Sequence, residues 1–255
     1  MSWENKVVIV TGGGGGIGRA VAMRFAGAGA SVVAVGRTLS KVQDVVDEIA
    51  AAGGRAVAMA ADVSSEADVT RVIRDAQEAF GRIDVMVNNA AVCPQVRLTD
   101  MSLDQWNGVI TNNLTSVFLF CRGVVPVMLE QGGGVIVNVS SVHALATLDG
   151  YSAYAASKAG IAGLTRAIAL DFAKQNIRAN TVLPGAVRTP MLESSVKNLD
   201  TPRDEIMKQW DQSQPIGRVG QPEEIASVVM FAASPDNSFM TGATLVADGG
   251  MTVEL

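Results

Sequence analysis

Short apolar runs alternate with helically patterned segments along almost the whole chain. Runs of adjacent apolar and β-branched residues are typical of strands buried on both faces, whereas apolar residues three and four positions apart are typical of amphipathic helices. The strands are predicted at residues 6–11, 31–36, 56–60, 83–88, 135–139, 178–183 and 244–246. The helices are predicted at residues 16–28, 40–52, 66–80, 103–130, 153–174 and 223–233.

This alternation of strands and helices predicts a single α/β domain over residues 1–255. Strand–helix–strand units join parallel strands by right-handed crossovers, which gives a doubly wound, seven-stranded parallel sheet with helices on both faces. The exception is the polar segment 189–220, which carries Pro190, Pro202 and Pro215 and fits no strand. A long insertion of this kind is typical of a lid over a site, with a static surface excursion as the alternative.

Composition and charge narrow the classes of partner. The 255 residues are 48% hydrophobic, enough for one large core, and a net charge of −5 without a basic stripe argues against nucleic acid. Cys93 and Cys121 have neither disulfide nor metal-site spacing, which fits the reducing cytoplasm. The polar start of the chain does not resemble a signal peptide. The apolar stretch 117–129 is interrupted by Arg122 and Pro126 and is too short for a bilayer, so no membrane segment is expected.

A glycine-rich loop lies between the first strand and the first helix. It satisfies both the G-x-G-x-x-G and the G-x-x-x-G-x-G spacing, and it would let the backbone approach a pyrophosphate at the positive end of the helix. A flexible glycine tract is the competing interpretation. A Walker loop is excluded, because Arg19 and Ala20 occupy the positions of its Lys and Ser or Thr. The candidate cofactor-binding residues of the loop are Gly12, Gly14, Gly15, Gly16, Ile17 and Gly18.

The end of the second strand, Gly36-Arg37-Thr38, bears on the choice of cofactor. An NAD site usually has a carboxylate here that binds the ribose 2′-hydroxyl, and this chain has no acid before Asp44. The guanidinium of Arg37 is suited to a 2′-phosphate, so Arg37 and Thr38 are candidate cofactor-binding residues. NADP(H) is therefore the expected cofactor and NAD(H) the alternative, with a solvated surface arginine as the competing interpretation of Arg37.

Candidate catalytic groups lie in the second half of the chain. Tyr154 and Lys158 are four residues apart in a predicted helix, so their side chains share a face. A neighbouring ammonium favours the phenolate, so we expect Lys158 to lower the pKa of Tyr154 from its ordinary value of about 10. Ser141 follows the strand 135–139, and its hydroxyl is suited to hydrogen-bonding a carbonyl or alkoxide oxygen. Tyr151 shares the face of Tyr154, but no lysine follows it at the same spacing.

Together these motifs resemble the short-chain dehydrogenase/reductase family. The likeness extends over nearly the whole chain and rests on motifs that follow one another in the family's order. They are Gly12-x-x-x-Gly16-x-Gly18, Asp62-Val63, Asn88-Asn89-Ala90-Ala91, Asn113, Ser141, Tyr154-x-x-x-Lys158 and Pro184-Gly185-Ala186-Val187-Arg188-Thr189. The resemblance implies a Rossmann fold and hydride transfer between a nicotinamide and an alcohol or ketone.

The resemblance also implies a catalytic tetrad of Asn113, Ser141, Tyr154 and Lys158. Tyr154 would be the general acid/base, Ser141 would hold the substrate oxygen, and Lys158 would lower the tyrosine pKa and bind the nicotinamide ribose. Asn113, rather than the preceding Asn112, would hold a water that connects Lys158 to solvent. Further cofactor contacts would come from Asp62 and Val63 at the adenine, Asn89 and Ala90 at the adenosine ribose, and Pro184, Gly185, Val187 and Thr189 at the carboxamide.

Two positions depart from the family pattern. Ala91 replaces the glycine that usually ends the Asn-Asn-Ala-Gly motif. Gly15 stands where many NADP-using relatives carry a basic residue, so the expected NADP(H) preference depends on Arg37 and on the missing acid.

The substrate is less well defined by the sequence than the cofactor. His143, the only histidine, lies two residues after Ser141 and is predicted to contact substrate with Ser141 and Tyr154, a structural histidine being the alternative. Few charges lie in the expected site loops, which favours an uncharged or weakly polar carbonyl compound. Two other functions remain open: a lyase, epimerase or dehalogenase without net redox turnover, and a non-catalytic cofactor-sensing protein. The intact glycine loop and the Pro184-Gly185 carboxamide segment argue against the first, and the complete tetrad argues against the second.

The resemblance further implies a homotetramer. In the family the helices corresponding to 103–130 and 153–174 pair across one two-fold interface, and the helix at 223–233 and the last strand form another. Small residues recur along 155–173, which leaves a surface on which a second helix can pack closely. The alternative is that both faces of this helix are buried inside the monomer.

Overall fold

The computed structural model describes residues 2–195 and 203–253. The strands in these ranges are β1 (Val7–Thr11), β2 (Ser31–Gly36), β3 (Arg55–Ala60), β4 (Val85–Asn88), β5 (Gly134–Val139), β6 (Ile177–Pro184) and β7 (Thr244–Ala247). The helices are α1 (Gly16–Gly27), α2 (Leu39–Ala51), α3 (Glu66–Phe80), α4 (Leu103–Ile110), α5 (Ser116–Glu130), α6 (Ser152–Phe172), α7 (Pro190–Ser195), α8 (Arg203–Gln212) and α9 (Pro222–Ala233). Every predicted strand and helix is present, with ends that differ by a few residues.

The seven strands of the described chain form one parallel sheet in the order β3-β2-β1-β4-β5-β6-β7. Strands β2 and β3 follow β1 on one side of the sheet, and strands β5, β6 and β7 follow β4 on the other side. The two central strands, β1 and β4, pair directly. This order confirms the predicted doubly wound α/β fold. In such sheets, ligands bind in the crevice at the carboxyl ends of the strands where the order reverses.

Helices cover both faces of the sheet, as predicted. Successive residues of a strand point to opposite faces. Ile9 of β1 and Ile136 of β5 pack in the core layer that contains α3, α5 and α6. Their neighbours Val8 and Val137 pack in the layer that contains α1 and α9. The strands are therefore apolar at consecutive positions because both faces are buried.

Charged residues hold together the amino ends of the central strands. The buried carboxylate of Asp84, just before β4, accepts hydrogen bonds from Lys6 Nζ at 3.0 Å, from the Arg82 guanidinium at 2.6 and 2.7 Å, and from the Val7 N–H at 3.0 Å. Burial alone would raise the pKa of Asp84, but these donors outweigh it and the pKa lies below its ordinary value. The cluster ties β1 to β4 at the end of the sheet opposite the crevice.

The predicted helix 103–130 contains an irregular turn. α4 and α5 are joined by a π-helical turn at Thr111–Thr115, and Asn113 within it is fully buried. Single π turns inside α-helices re-aim side chains and occur frequently at functional sites. The predicted helix 103–130 is therefore interrupted near its middle.

The combined helix Leu103–Glu130 is long and apolar enough to cross a membrane by length and composition alone. In the structure, 56% of its most apolar window is buried, and Phe120, Val124 and Met128 pack in the core with residues of α3 and the sheet. Packing against the rest of the domain therefore accounts for its apolar character.

The segment 189–220 contains two helices, α7 and α8, that the sequence pattern does not predict. Residues 196–202, which include Pro202, lie outside the described residues. Ile206 and Met207 of α8 are buried, so part of the apolar surface of the insertion packs against the domain.

Candidate active site

A cleft of about 470 Å³ opens at the carboxyl ends of the central strands. The predicted site residues that line it are Gly12, Gly14, Gly15, Gly16, Ile17, Arg37, Thr38, Val63, Asn89, Ala90, Ser141, His143, Tyr154, Lys158, Pro184, Gly185, Val187 and Thr189. Three others, Gly18, Asp62 and Asn113, are chain neighbours of lining residues and do not line the cleft themselves. The structure thus brings together side chains from more than half the length of the chain.

The glycine loop is shaped for a backbone-lined ligand. Gly12 and Gly16 have φ values of +68° and +51°, in the left-handed region that favours glycine. A Cβ on Gly18 would lie 2.1 Å from the carbonyl oxygen of Gly12, so Gly18 serves the close packing of α1 against the loop. Helix α1 begins at Gly16 with no side chain capping its first turn, which leaves the positive end of the helix facing the cleft. These features fit the phosphates of a dinucleotide.

Thr11 holds the glycine loop to the end of β4, a role that sequence reasoning missed. Its hydroxyl accepts hydrogen bonds from the N–H groups of Asn89 at 2.9 Å and Ala90 at 3.1 Å. The Asn89 amide in turn donates to the carbonyl oxygen of Thr11 at 3.0 Å. A threonine that ends a strand gives no sign of this role in sequence, because its partners are nearly eighty residues away.

The end of the cleft formed by β2 and β3 carries two cations. Arg37 and Lys41 line it beside Thr38 and Val63, and both cationic residues are exposed. Lys41, in the first turn of α2, is a second residue that sequence reasoning missed. Asp62 does not line the cleft: its carboxylate accepts hydrogen bonds from Ser64 Oγ at 2.6 Å and Ser64 N at 2.9 Å, which lower its pKa, and the charge of Arg37 lowers it further.

The other end of the cleft contains the predicted catalytic side chains. Tyr154 and Lys158 lie one turn apart on α6 and are buried, and Ser141 follows β5 and lies beside Tyr154. Lys158 Nζ lies 5.5 Å from the centroid of the Tyr154 ring and donates to the carbonyl oxygen of Val139 at 3.0 Å. A phenol, a hydroxyl and an ammonium therefore meet where a carbonyl oxygen would sit beside a bound dinucleotide.

The surroundings of Tyr154 do not have the effect expected from the sequence. Burial raises the pKa of Tyr154 well above its ordinary value, nearby Cys93 adds to the rise, and the hydrogen bond with Ser141 opposes it. Burial also lowers the pKa of Lys158 to about 8, because an ammonium is poorly solvated there. The expectation that the pKa of Tyr154 is lowered is therefore wrong. The buried surroundings keep Tyr154 as the neutral phenol, which is the form that donates a proton.

Asn113 is engaged by the loop after β4. Its side chain accepts from the Val92 N–H at 2.8 Å and donates to the Val92 carbonyl oxygen at 2.9 Å and to Ser157 Oγ at 3.1 Å. The π-helical turn thus clamps the loop that carries Ala90 and Cys93 against α6. These three hydrogen bonds give the side chain of Asn113 a positioning role.

His143 lies among aromatic rings at the catalytic end. Its Nδ1 is 2.8 Å from Thr147 Oγ1, and its ring centroid lies 4.9 Å from that of Tyr151 and 5.3 Å from that of Tyr154. Burial lowers the pKa of His143, and the charge of Lys158 lowers it further, so the ring is neutral at neutral pH. The cleft is also lined by Cys93, Met191, Leu192, Trp210 and Met251.

The segment after β6 closes the cleft beside the glycine loop. Val187 forms an isolated bridge with Gly220, and the Arg188 N–H donates to the Gly220 carbonyl oxygen at 2.9 Å. Thr189 lies against Gly16, where an added Cβ would come within 3.2 Å of the threonine methyl. The segment predicted to hold a carboxamide therefore contacts the loop predicted to hold phosphates.

The fold and this cleft define a dinucleotide-dependent oxidoreductase, and comparison with known proteins gives the family. A family model described as enoyl-(acyl carrier protein) reductase matches residues 13–252. The cyclohexanol dehydrogenase of Acinetobacter sp. (strain SE19) is 40% identical over 98% of this chain and 96% of its own length. A 3-oxoacyl-[acyl-carrier-protein] reductase, FabG, of Thermotoga maritima is 38% identical over 99% of this chain and 100% of its own.

Solved structures of similar proteins point to the same family. Levodione reductase superposes with a TM-score of 0.95 at 36% identity and covers 99% of both chains. A short-chain type dehydrogenase/reductase from Mycobacterium marinum superposes with a TM-score of 0.93 at 33% identity over 99% of this chain and 98% of its own. The chain belongs to the short-chain dehydrogenase/reductase family. It is an NAD(P)-dependent oxidoreductase that transfers a hydride to or from its nicotinamide cofactor.

Proposed function

We propose that this protein is an NADP(H)-preferring reductase or dehydrogenase of uncharged ketones and alcohols, with Tyr154 as its acid/base. The observation that carries the proposal is the meeting of Ser141, Tyr154 and Lys158 at one end of a cleft whose other end is a glycine loop. A bound nicotinamide cofactor supplies or accepts the hydride. The protein's part is to orient the carbonyl and to move one proton.

Each group of the catalytic end has a separate task in this proposal. Tyr154 gives its phenolic proton to the substrate oxygen during reduction, and Ser141 donates a hydrogen bond to the same oxygen. Lys158, whose ammonium is held by the Val139 carbonyl oxygen, would bind the ribose of the nicotinamide. Asn113 fixes the loop after β4. In the oxidation of an alcohol the same groups act in reverse.

The cofactor-binding residues would divide along the cleft. The pyrophosphate would lie on Gly14, Gly15, Gly16 and Ile17 at the start of α1. Asn89 and Ala90 would contact the adenosine ribose, and Val63 the adenine. The nicotinamide end would be held by Tyr154, Lys158, Pro184, Gly185, Val187 and Thr189.

The preference for NADP(H) is attributed to Arg37 and Lys41. Both line the end of the cleft where the 2′-phosphate would lie, and no carboxylate lines the cleft among the described residues. We therefore expect Arg37→Ala to weaken NADPH binding by about tenfold or more and NADH binding by much less, because only NADPH has the phosphate. Titration of each cofactor by fluorescence measures both affinities.

Arg74→Ala is the matched control for this variant, because Arg74 is an exposed arginine of α3 that does not line the cleft. The control should change neither affinity. Equal binding of NADH and NADPH by the native protein would contradict the assignment.

The substrate is proposed to be an uncharged carbonyl compound or alcohol. The charged side chains among the described lining residues are Arg37, Lys41 and Lys158, the first two at the cofactor's adenosine end and the third beside Tyr154. A cationic group on the substrate would meet no carboxylate among the described lining residues. An anionic group would meet only Lys158, which is buried and already donates to the Val139 carbonyl oxygen, so either charge would lose hydration with little compensation. The name of the cyclohexanol dehydrogenase relative points in the same direction.

A coupled absorbance screen at 340 nm tests the proposed function. Cyclohexanol, linear secondary alcohols and the matching ketones are each offered with both NAD(H) and NADP(H). We expect turnover of the uncharged cyclic and secondary compounds, fastest with NADP(H), and none of carboxylated analogues. Binding of NADPH without turnover of any carbonyl compound would favour a cofactor-sensing protein instead.

The protein is also proposed to be a homotetramer of the cytoplasm. Small residues of α6 such as Ala156 and Ala159 are exposed, and apolar side chains at Phe231, Phe239 and Val246 are exposed around α9 and β7. Apolar surfaces of this kind favour association. We expect light scattering at micromolar concentration to give about four times the 26.5 kDa mass of one chain. A monomer mass would refute the proposal.

The insertion 189–220 is proposed to close over bound ligands. Met191, Leu192 and Trp210, three of its described residues, line the cleft. Closure excludes water and brings hydride donor and acceptor together. We expect amide hydrogen exchange in α7 and α8 to slow when NADPH and a substrate analogue are added. If exchange in α7 and α8 is already slow in the free protein and does not change when the ligands are added, the insertion is a static surface segment and not a lid.

A further inference from the structure

The chain after β7 turns back into the cleft, a feature that neither the motifs nor the family resemblance assigns to the site. Met251 lines the same cleft as Tyr154 and His143. It lies three residues after Asp248, whose carboxylate accepts hydrogen bonds from the Gly250 N–H at 3.0 Å and from Thr252 N and Oγ1 at 2.9 and 2.6 Å. These bonds fold residues 248–252 into a fixed turn, here called the C-terminal turn.

The C-terminal turn is packed against the segment proposed to hold the nicotinamide end. The Gly185 N–H donates to the Ala247 carbonyl oxygen at 3.0 Å, and a Cβ on Gly185 would lie 2.7 Å from Cα of Asp248. The turn therefore has little freedom to move away from the catalytic end of the cleft. Gly249 and Gly250 have φ values of +64° and +90°, so the path of this turn requires glycine at both positions.

A second set of contacts joins the C-terminal turn to the end of α8. The Ile216 N–H donates to the Gly249 carbonyl oxygen at 3.0 Å. The buried amide of Gln214 donates to Met251 Sδ at 3.8 Å and to the carbonyl oxygen of Trp210 at 3.4 Å. Gln214 thus links the side chain of Met251 to the main chain of Trp210, and both residues line the cleft although they come from separate parts of the chain.

We propose that Met251 is a specificity-determining residue that, with Trp210, forms an apolar wall selecting the size of an uncharged substrate. The proposal rests on the proposed function and deepens it. A thioether side chain is flexible and polarisable and packs against varied apolar shapes, and an indole presents a large rigid surface. Because the turn fixes the main chain at position 251, the length of its side chain sets the room left for the substrate.

The test is a comparison of Met251→Ala with Met251→Leu and Val253→Ala. Val253 directly follows the C-terminal turn, is 82% exposed and does not line the cleft, so its variant controls for general effects on this part of the chain. For each protein, kcat/KM is measured with cyclohexanol and with cyclohexanols that carry bulky apolar 4-substituents. The dissociation constant of NADPH and the melting temperature are measured in parallel.

We expect Met251→Ala to shift the kcat/KM ratio at least tenfold towards the bulkier alcohols, with NADPH affinity unchanged. Met251→Leu, which keeps most of the volume, and Val253→Ala should both keep the native ratio. A shift of the same size in Val253→Ala, or an equal loss for all alcohols in Met251→Ala, would overturn the proposal.

Calorimetric binding of the matching ketones to the protein with NADP⁺ separates this inference from the proposed function. One outcome is that Met251→Ala binds the bulkier ketones relatively more tightly than the native protein does, while the native protein turns over none of the compounds. That result would support the role of Met251 and refute the proposed reaction. Absence of both binding and turnover would overturn both.

Discussion

Replacement of Tyr154 by phenylalanine is expected to lower kcat by about a thousandfold. The variant loses one oxygen atom, the one that the proposed mechanism uses to give the proton to the substrate. The ring keeps its place because it is buried on α6 and packs 5.3 Å from His143. Binding of NADPH should therefore stay within about threefold of the native value, since a phenol adds little to cofactor affinity. Steady-state kinetics and cofactor titration measure the two effects separately.

Tyr151→Phe provides the matched control. Tyr151 lines the same cleft with its ring centroid 6.4 Å from that of Tyr154, but it has no lysine one turn later. Its loss should lower kcat by no more than about tenfold. If Tyr154→Phe retains most of its turnover, or if Tyr151→Phe is the more damaged protein, the proton donor has been assigned to the wrong residue.

Gly18→Ala is expected to destabilise the protein and to abolish cofactor binding. The new Cβ would lie 2.1 Å from the Gly12 carbonyl oxygen and 2.6 Å from Asn89 Nδ2, and neither neighbour is free to move without deforming the glycine loop or the end of β4. Overpacking of a close contact costs about 1–3 kcal/mol and occasionally more. We expect the free energy of unfolding to fall by about 3 kcal/mol and NADPH affinity to fall at least about a hundredfold. Denaturant titration and cofactor titration test these values.

Gly15→Ala is the matched control, because it replaces another glycine of the same loop at a position that has room for a methyl group. A Cβ at Gly15 meets nothing within 4 Å, and its extended backbone, with φ of −178°, suits any residue. This variant should unfold at nearly the native denaturant concentration and bind NADPH within a few-fold. Similar losses in both variants would mean that the flexibility of the glycine run matters more than its packing.

Much of the fold follows from local sequence pattern. The consecutive apolar residues of β1 and β5 predict strands buried on both faces, and the order of strands and helices predicts the doubly wound sheet. Helices α7 and α8 were not predicted, because prolines and polar residues obscure their periodicity. Their position depends on tertiary contacts such as those of buried Ile206 and Met207.

The candidate site, like the fold, was predicted from the sequence only in part. Residues in motifs, such as Tyr154 and Lys158, were predicted to lie together, and the structure places both in the cleft. Thr11 and Met251 were missed because their roles depend on partners far away in the chain, whereas Lys41 was missed because it belongs to none of the motifs. The direction of the Tyr154 pKa shift was also missed, since helical spacing shows the neighbouring charge but not the burial that opposes ionisation.

The Asp84 cluster at the amino ends of β1 and β4 has a consequence for engineering this protein. It joins the central strands through Lys6, Arg82 and the Val7 N–H, at the end of the sheet away from the cleft. Loops at the opposite end can therefore be randomised to seek new substrates while this anchorage stays untouched. A library confined to the cleft-side loops should retain a larger folded fraction than one of equal diversity that includes residues 82–84.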